Sequence, residues 1–355
     1  MNTTPTTLIV GTGLVGTSVG LALQRAGVDV HLEDLDPLHA QAAESLGAGT
    51  TRAPRSNQEL GLVVVAVPPR HVGPAVCEAL ATWPEAVVTD VGSVKVPALL
   101  AARERGIDLS RYVGSHPMAG SERSGPWAAS ADLFDGRAWA VTPHEGSAAE
   151  AVQVVRRLAT DCGASVVQLS PVEHDAAVAR VSHLPHLMSV LAAGALVGAP
   201  PQQLALAGQG LRDVTRVAAG DPGLWSEIVT ANAEQVRLLL TDVRDRVDEL
   251  LAGVQDTPEA LAVALRRGVA GTRLVPGKHG APTPDYTVVY VALPDRPGEL
   301  ARLFADAGES GVNIEDLRID HDPARPVGLV EVVVAQRSAA TLVGSLTDRG
   351  WSVNQ

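Results

Sequence analysis

TLIVGTGLVG, residues 7 to 16, is the stretch whose reading decides the fold. A short apolar run ends in Gly11, Gly13 and Gly16. A run that is continuous rather than alternating reads as a strand buried on both faces, as in a parallel sheet. The glycines then have separate tasks. Gly11 permits the tight turn, Gly13 lets the backbone approach a pyrophosphate, and Gly16 lets the next helix pack close to the strand. The phosphates would meet the N-terminus of that helix. The spacing alone is weak, because glycine turns are common; it gains force from a strand before, a helix after and an acid at the end of the second strand. VDVHLE (28–33) is that second strand, with Glu33 and Asp34 at its end. Register favours Asp34 as the ribose ligand. A carboxylate there accepts from a 2′-hydroxyl and repels a 2′-phosphate, so NAD is expected over NADP. Leu14 and Val15 in the turn, and Val67 and Pro68 at the end of the third strand, complete the expected cofactor contacts.

Outward from this turn, LVVVAV (62–67), AVVTDV (86–91) and VVQL (166–169) repeat the strand pattern with helical stretches between. The βαβ alternation predicts an α/β, Rossmann-type doubly wound sheet over residues 1–169. From Ser170 the strands stop. Ser170, Pro171 and Glu173 fit the N-cap, N1 and N3 positions of a helix, and Asp221–Pro222 is a second entry signal. Apolar residues at helical spacing from Trp225 to Leu251 predict one long amphipathic helix. An all-helical domain over 170–267 has more apolar face than it can bury alone, so a homodimer is expected. Residues 268–284 hold four Gly and three Pro and read as a linker. From 285 to 355 the order β-α-β-β-α-β predicts a ferredoxin-like α+β unit.

Bulk composition narrows the partners. The 355 residues suffice for two or three domains, and 46% apolar content supplies a core. A net charge of −12 argues against nucleic acid or an anionic membrane as the main partner. Cys77 and Cys162 form neither a CxxC pair nor a disulfide framework, which suits a reduced cytosol. The N-terminus has no signal-like pattern, and the apolar stretch VLAAGALVGA (190–199) is too short to span a bilayer, so a cytoplasmic protein is expected.

Four further stretches carry candidate chemistry: TDVGSVK (89–95), GSHPMAGSERSG (114–125), VSHLPH (181–186) and GLRDVTR (210–216). Ligands in such a sheet bind outside the carboxyl ends of the strands, where Ser93 falls. Residues 114–125 lack apolar alternation and read as a loop, stiffened by Pro117, that can aim His116 into a cleft. Each residue also has a plain structural reading: Ser93 as a helix cap, Arg216 as a surface ion pair, His116 as a surface loop histidine. His183 and His186 share a helix face, but no third ligand is near and Pro185 lies between them, so no metal site is expected. Lys95 is one of only two lysines, with Lys278, and no role follows from its position.

Taken together and in order, these four motifs resemble the prephenate dehydrogenase family, over about residues 7 to 250. The resemblance implies oxidative decarboxylation of prephenate with NAD. It casts His116 as the base for the substrate hydroxyl, Ser93 as the residue that aligns that hydroxyl, and Arg216 as the partner of a substrate carboxylate. His186 is implied as a polar group on the substrate side, with His183 structural; Trp225, Asp213 and Ser121 are further pocket residues. Arogenate dehydrogenase, and a non-catalytic nicotinamide-sensing regulator, are the alternatives. DRPGELARLFADAGESGVNI, from residue 295, resembles an ACT domain. That implies an aromatic amino-acid effector at Asp295, Gly298 and Asn313, which is placed at the start of a strand.

Overall fold

The computed structural model describes residues 4–54, 60–120, 124–255, 258–275, 286–320 and 327–354. Strand β1 (Thr7–Val10) lies between β2 (Val30–Glu33) and β3 (Leu62–Val65), and β3 pairs with β4 (Val87–Asp90), all in parallel. Helices α1 (Leu14–Arg25), α2 (Pro37–Ser45), α3 (Pro69–Thr82) and α4 (Val96–Glu104) follow the four strands in turn. Successive residues of one strand point into opposite layers. Ile9, Leu62 and Val64 pack with Val19 and Leu23 of α1 and with Val155 and Leu158 of α5 (Ala149–Asp161). Leu8, Val63 and Val65 pack with Val72 and Val76 of α3 and Leu99 of α4. Both faces are dry, which is why these strands are apolar without alternation.

The sheet continues where a loop was expected. Gly114–Pro117 form β5, joined to β4 through a parallel bridge at Val88–Tyr112. β5 pairs antiparallel with β6 (Ala138–Thr142), a strand the sequence pattern did not announce, and β6 pairs in parallel with β7 (Ser165–Gln168). Pro117 is tolerated because it ends the strand, and the ladder resumes with the Met118 N–H donating to Ala138 O at 2.8 Å.

Ser170 and Glu173 form a reciprocal capping box at the start of α6 (Pro171–Val178), as their spacing requires. A π-turn, Ala179–His183, joins α6 to α7 (Leu184–Gly194), with the Leu184 N–H donating to Ala179 O. Pro185 lies at the start of α7 and has no N–H to continue the α-helical ladder, so the wider turn fits there. Short helices α8 (Pro201–Leu204) and α9 (Gln209–Thr215) and a 3-10 turn, Arg216–Ala219, lead to α10 (Pro222–Ala231), capped by Asp221. The single long helix expected from residue 225 is two helices, since Asn232 leaves helical geometry between α10 and α11 (Ala233–Gln255). α12 (Pro258–Thr272) runs into the expected linker, so its first five residues are helical; residues 276–284 lie outside the described residues.

The chain divides into two compact units, Met1–Asp248 and Glu249–Gln355. The second contains β8 (Tyr286–Pro294), α13 (Glu299–Glu309), β9 (Asp316–Asp320), β10 (Val327–Ala335), α14 (Gln336–Asp348) and β11 (Ser352–Asn354). Its antiparallel sheet has the order β11-β8-β10-β9, and one face packs on Leu303, Leu342 and Leu346. Asn313 lies in the loop before β9, three residues short of the strand start. Among the described residues no helix is long and apolar enough to cross a membrane.

Candidate active site

The glycine turn is built as its spacing demands. Gly11 has φ +97°, and a Cβ there would sit 2.5 Å from Ala66 O. At Gly16 a Cβ would lie 1.9 Å from Gly11 O, whereas one at Gly13 meets nothing within 4 Å. Gly11 and Gly16 therefore serve packing, and Gly13 is the open position through which a pyrophosphate can reach the N-terminus of α1. Asp34 Oδ2 accepts from Thr12 N at 2.6 Å and Thr12 Oγ1 at 2.9 Å, which fixes the carboxylate beside the turn. Val67 lies against Gly11, and its Cγ1 would be 3.1 Å from an added Cβ. Leu14 and Val15 open α1, and Pro68 caps α3. This open, anion-ready turn with a fixed acid fits NAD.

At the same sheet edge, past the ends of β4 and β5, lies a cleft of about 290 Å³ walled by Ser93, His116, Met118, Gly120, His183 and Trp225, among others. Ser93 and His116 are therefore together, 23 residues apart in sequence. His116 is partly exposed, and its pKa is held well below the usual imidazole value, first by desolvation and then by the positive charge of Lys95. Its ring is neutral over the ordinary working range, as a proton acceptor requires.

Behind His116 runs a chain of buried polar groups. His116 Nδ1 lies 3.0 Å from His174 Nε2, and His174 Nδ1 lies 2.8 Å from Asp175 Oδ1. Asp175 also accepts from the N–H groups of Lys95 and Val96, at 2.8 and 2.9 Å, capping the start of α4. Asn232, at the break between α10 and α11, donates from Nδ2 to Asp175 O at 2.8 Å and lies 3.3 Å from His183 Nδ1. Lys95 is 1% exposed and pairs with Asp90, which is 0% exposed. The Lys95 ammonium also donates to Ser115 O at 2.6 Å, pinning the residue before His116. Asp90 is saturated by the Gly92 N–H at 2.9 Å and the Tyr112 hydroxyl at 2.7 Å. A buried pair of this kind is tolerable only when further hydrogen bonds support both charges, as Ser115 O does for Lys95 and Gly92 N and Tyr112 do for Asp90.

The other expected site residues fall differently. Trp225 is in the cleft wall, and His186 lies behind it, the two rings stacked at 3.6 Å and 6°. His183 faces the cleft instead, with its pKa lowered to about 4 chiefly by burial. Both histidines meet the Trp225 ring, His183 edge-on at 6.2 Å and His186 stacked. Asp213, which accepts from Gln209 Nε2 at 3.0 Å, and Arg216 are exposed and stand outside that wall. Ser121 lies outside the described residues. No group of three or more His, Cys, Asp or Glu fit to hold a metal occurs among the described residues. His174, Asp175 and Asn232 carry no local motif. Asp90 and Lys95 could have been suspected from charges set at the end of an apolar strand.

Two family descriptions match the chain in succession: "Prephenate dehydrogenase, nucleotide-binding domain" over residues 19–168 and "Prephenate dehydrogenase, dimerization domain" over 170–266. A probable prephenate dehydrogenase of Streptomyces niveus is 37% identical, covering 98% of this chain and 99% of its own length. The crystal structure of Aquifex aeolicus prephenate dehydrogenase with hydroxyphenyl propionate and NAD+ superposes with a TM-score of 0.68 at 27% identity, covering 76% of this chain and 98% of that one. Synechocystis arogenate dehydrogenase gives 0.65 at 26% identity, with coverages of 76% and 100%. With the glycine turn, the Ser93–His116 cleft and the helical segment all in place, the chain belongs to the prephenate dehydrogenase family.

Proposed function

We propose that this chain oxidises prephenate to 4-hydroxyphenylpyruvate with NAD. The observation that carries the reading is a neutral His116 beside Ser93 in the cleft, with its Nδ1 engaged from behind. Ser93 aligns the C4 hydroxyl of the substrate, and His116 accepts its proton. When bound, NAD takes the hydride that leaves C4. As the C4 carbonyl develops, the ring carboxylate leaves as carbon dioxide, and its bonding electrons make the ring aromatic. Arg216 is assigned to a substrate carboxylate, for which a guanidinium fork is suited. Trp225 and Met118 supply apolar wall for the ring. Assays with prephenate and arogenate, each with NAD and NADP, test the reading. Turnover of prephenate with NAD is expected. Turnover of arogenate alone overturns the substrate, and no turnover of either overturns the activity.

The working assembly in this reading is a cytoplasmic homodimer, closed over apolar side chains that one copy leaves exposed, including Leu191, Leu224, Leu238 and Val247. Buried free Cys77 and Cys162 suit a reducing compartment. Residues 285–355 are read as an ACT-like regulatory domain for an aromatic amino acid. Gly298, at φ +92°, caps α13, and in this reading the start of that helix receives the effector carboxylate, with Asp295 and Asn313 beside it.

A further inference from the structure

We propose that His174 and Asp175 are positioning residues that hold His116 in the tautomer whose Nε2 lone pair faces substrate, with Asn232 fixing Asp175 in place. The inference rests on His116 being the base of the proposed reaction. It follows from which atoms can donate. Asp175 spends its oxygens accepting from Lys95 N, Val96 N and His174 Nδ1, so His174 Nδ1 carries the proton. In a neutral ring the other nitrogen is then bare, and His174 Nε2 is an acceptor. Only a proton on His116 Nδ1 satisfies the 3.0 Å contact between them. His116 Nε2 is left without a proton, free to take one. The opposite tautomer would set two lone pairs against each other in a buried site, a costly arrangement.

The frame around this relay leaves it little freedom. His174 is 1% exposed and Asp175 3% exposed, and both sit in a capped helix. The remaining charged or titratable groups facing His116 are Lys95, backed by Asp90, and His183 from the π-turn. Asn232 reaches Asp175 O because α10 ends there, which gives the helix break a function. His116 and His174 meet edge to face, with centroids 5.2 Å apart and planes at 73°, so the contact fixes the ring plane as well as the proton.

Two substitutions at one position separate positioning from bulk. His174→Asn keeps a polar atom near Nδ1, toward Asp175, but nothing reaches His116; His174→Gln carries an amide oxygen to about where Nε2 stood. In the full-length enzyme, H174N should lower kcat by roughly 10- to 10⁴-fold with KM for NAD unchanged. H174Q should recover at least about tenfold of that loss. 15N spectra of histidine-labelled protein report the tautomer directly. Wild type should show His116 protonated at Nδ1 and bare at Nε2, and H174N should lose that bias. A wild-type signal from an Nε2-protonated His116 would overturn the proposal. So would H174N and H174Q losing activity equally and in step with thermal stability. If prephenate is not turned over while the spectra show the Nδ1 proton and its loss in H174N, the reaction assignment falls and the tautomer lock stands.

Discussion

Replacing His116 by Asn removes the cleft-facing nitrogen yet leaves a polar atom near the old Nδ1. Turnover should therefore fall by roughly 10²–10⁴-fold while NAD affinity, measured by titration, barely changes. The pH dependence has a definite sign. Burial and Lys95 lower the folded pKa of His116, and the proposed reaction needs its neutral ring, so kcat should rise with pH through a value below 6.5 and then stay level. A profile still climbing between pH 7 and 8 would remove His116 as the base. The same lowering acts on stability. His116 and His183, the latter at about 4, are neutral when folded and protonate near 6.5 when unfolded, so their contribution is present above 6.5 and is lost as pH falls toward the folded values. Lys95→Met strips Asp90 of its buried partner and should cost about 3–5 kcal/mol, read by denaturant unfolding. In whatever enzyme survives, the acid limb of the rate profile should move to higher pH, since a positive charge near His116 is gone. That Ser93 and His116 would meet at one sheet edge was legible in sequence because each sits in a motif tied to a strand end. His174 was not, because an isolated histidine in a capped helix looks the same whether it faces solvent or the base. Arg216 and His186 were read from motif alone, and the wall of the cleft is made by neither.

The glycine turn separates packing from binding at the scale of an element. Gly16→Ala forces a Cβ to within 1.9 Å of a carbonyl oxygen that belongs to the turn itself, so it should lower Tm and NAD affinity together. Gly13→Ala meets no protein atom within 4 Å, so Tm should hold while NAD affinity falls, because the methyl occupies the approach to the pyrophosphate. A Gly13→Ala variant with unchanged NAD affinity would place the phosphates elsewhere. Element by element, the sequence was readable where one force dominates: apolar strands buried on both faces, and helix starts marked by Ser170–Glu173 and by Asp221. It misled where neighbours decide. Gly114–Pro117 is a strand because β6 offers it a ladder on one side and, on the other, the bridge at Tyr112 and the Ser115 hydroxyl tie it to β4, although glycine, serine, histidine and proline all read as loop. The apolar period runs unbroken across Asn232, yet the helix is interrupted there, and the Asn232 amide reaches Asp175 O.

For the whole molecule the sharpest question is what the last hundred residues add. The chain divides after Asp248, and every residue assigned here to the cofactor turn or the cleft precedes that point. The C-terminal sheet has its own core, with Val289, Val330, Leu303 and Leu342 each fully buried. Its polar fastening is local too: Trp351 Nε1 donates to Asp306 at 2.7 Å, and Arg302 lies 4.1 Å over the Trp351 ring. Removing residues 280–355 should therefore leave a dimer that turns over prephenate within a fewfold of the full chain, since helices α6 to α12 remain. If the removed unit is the regulatory site, tyrosine or phenylalanine should change the rate of the full-length enzyme and not of the truncated one. Equal effects on both forms would put any feedback in the cleft itself, where an aromatic product-like ring would compete beside Trp225. Gly298→Ala gives the finer arm. Its φ of +92° penalises any Cβ, so α13 should start differently and effector response should fall while the uninhibited rate stays put. A truncated protein that is soluble but inactive would show instead that the C-terminal unit supports the cleft, and the division of labour drawn from the sequence would have to be given up.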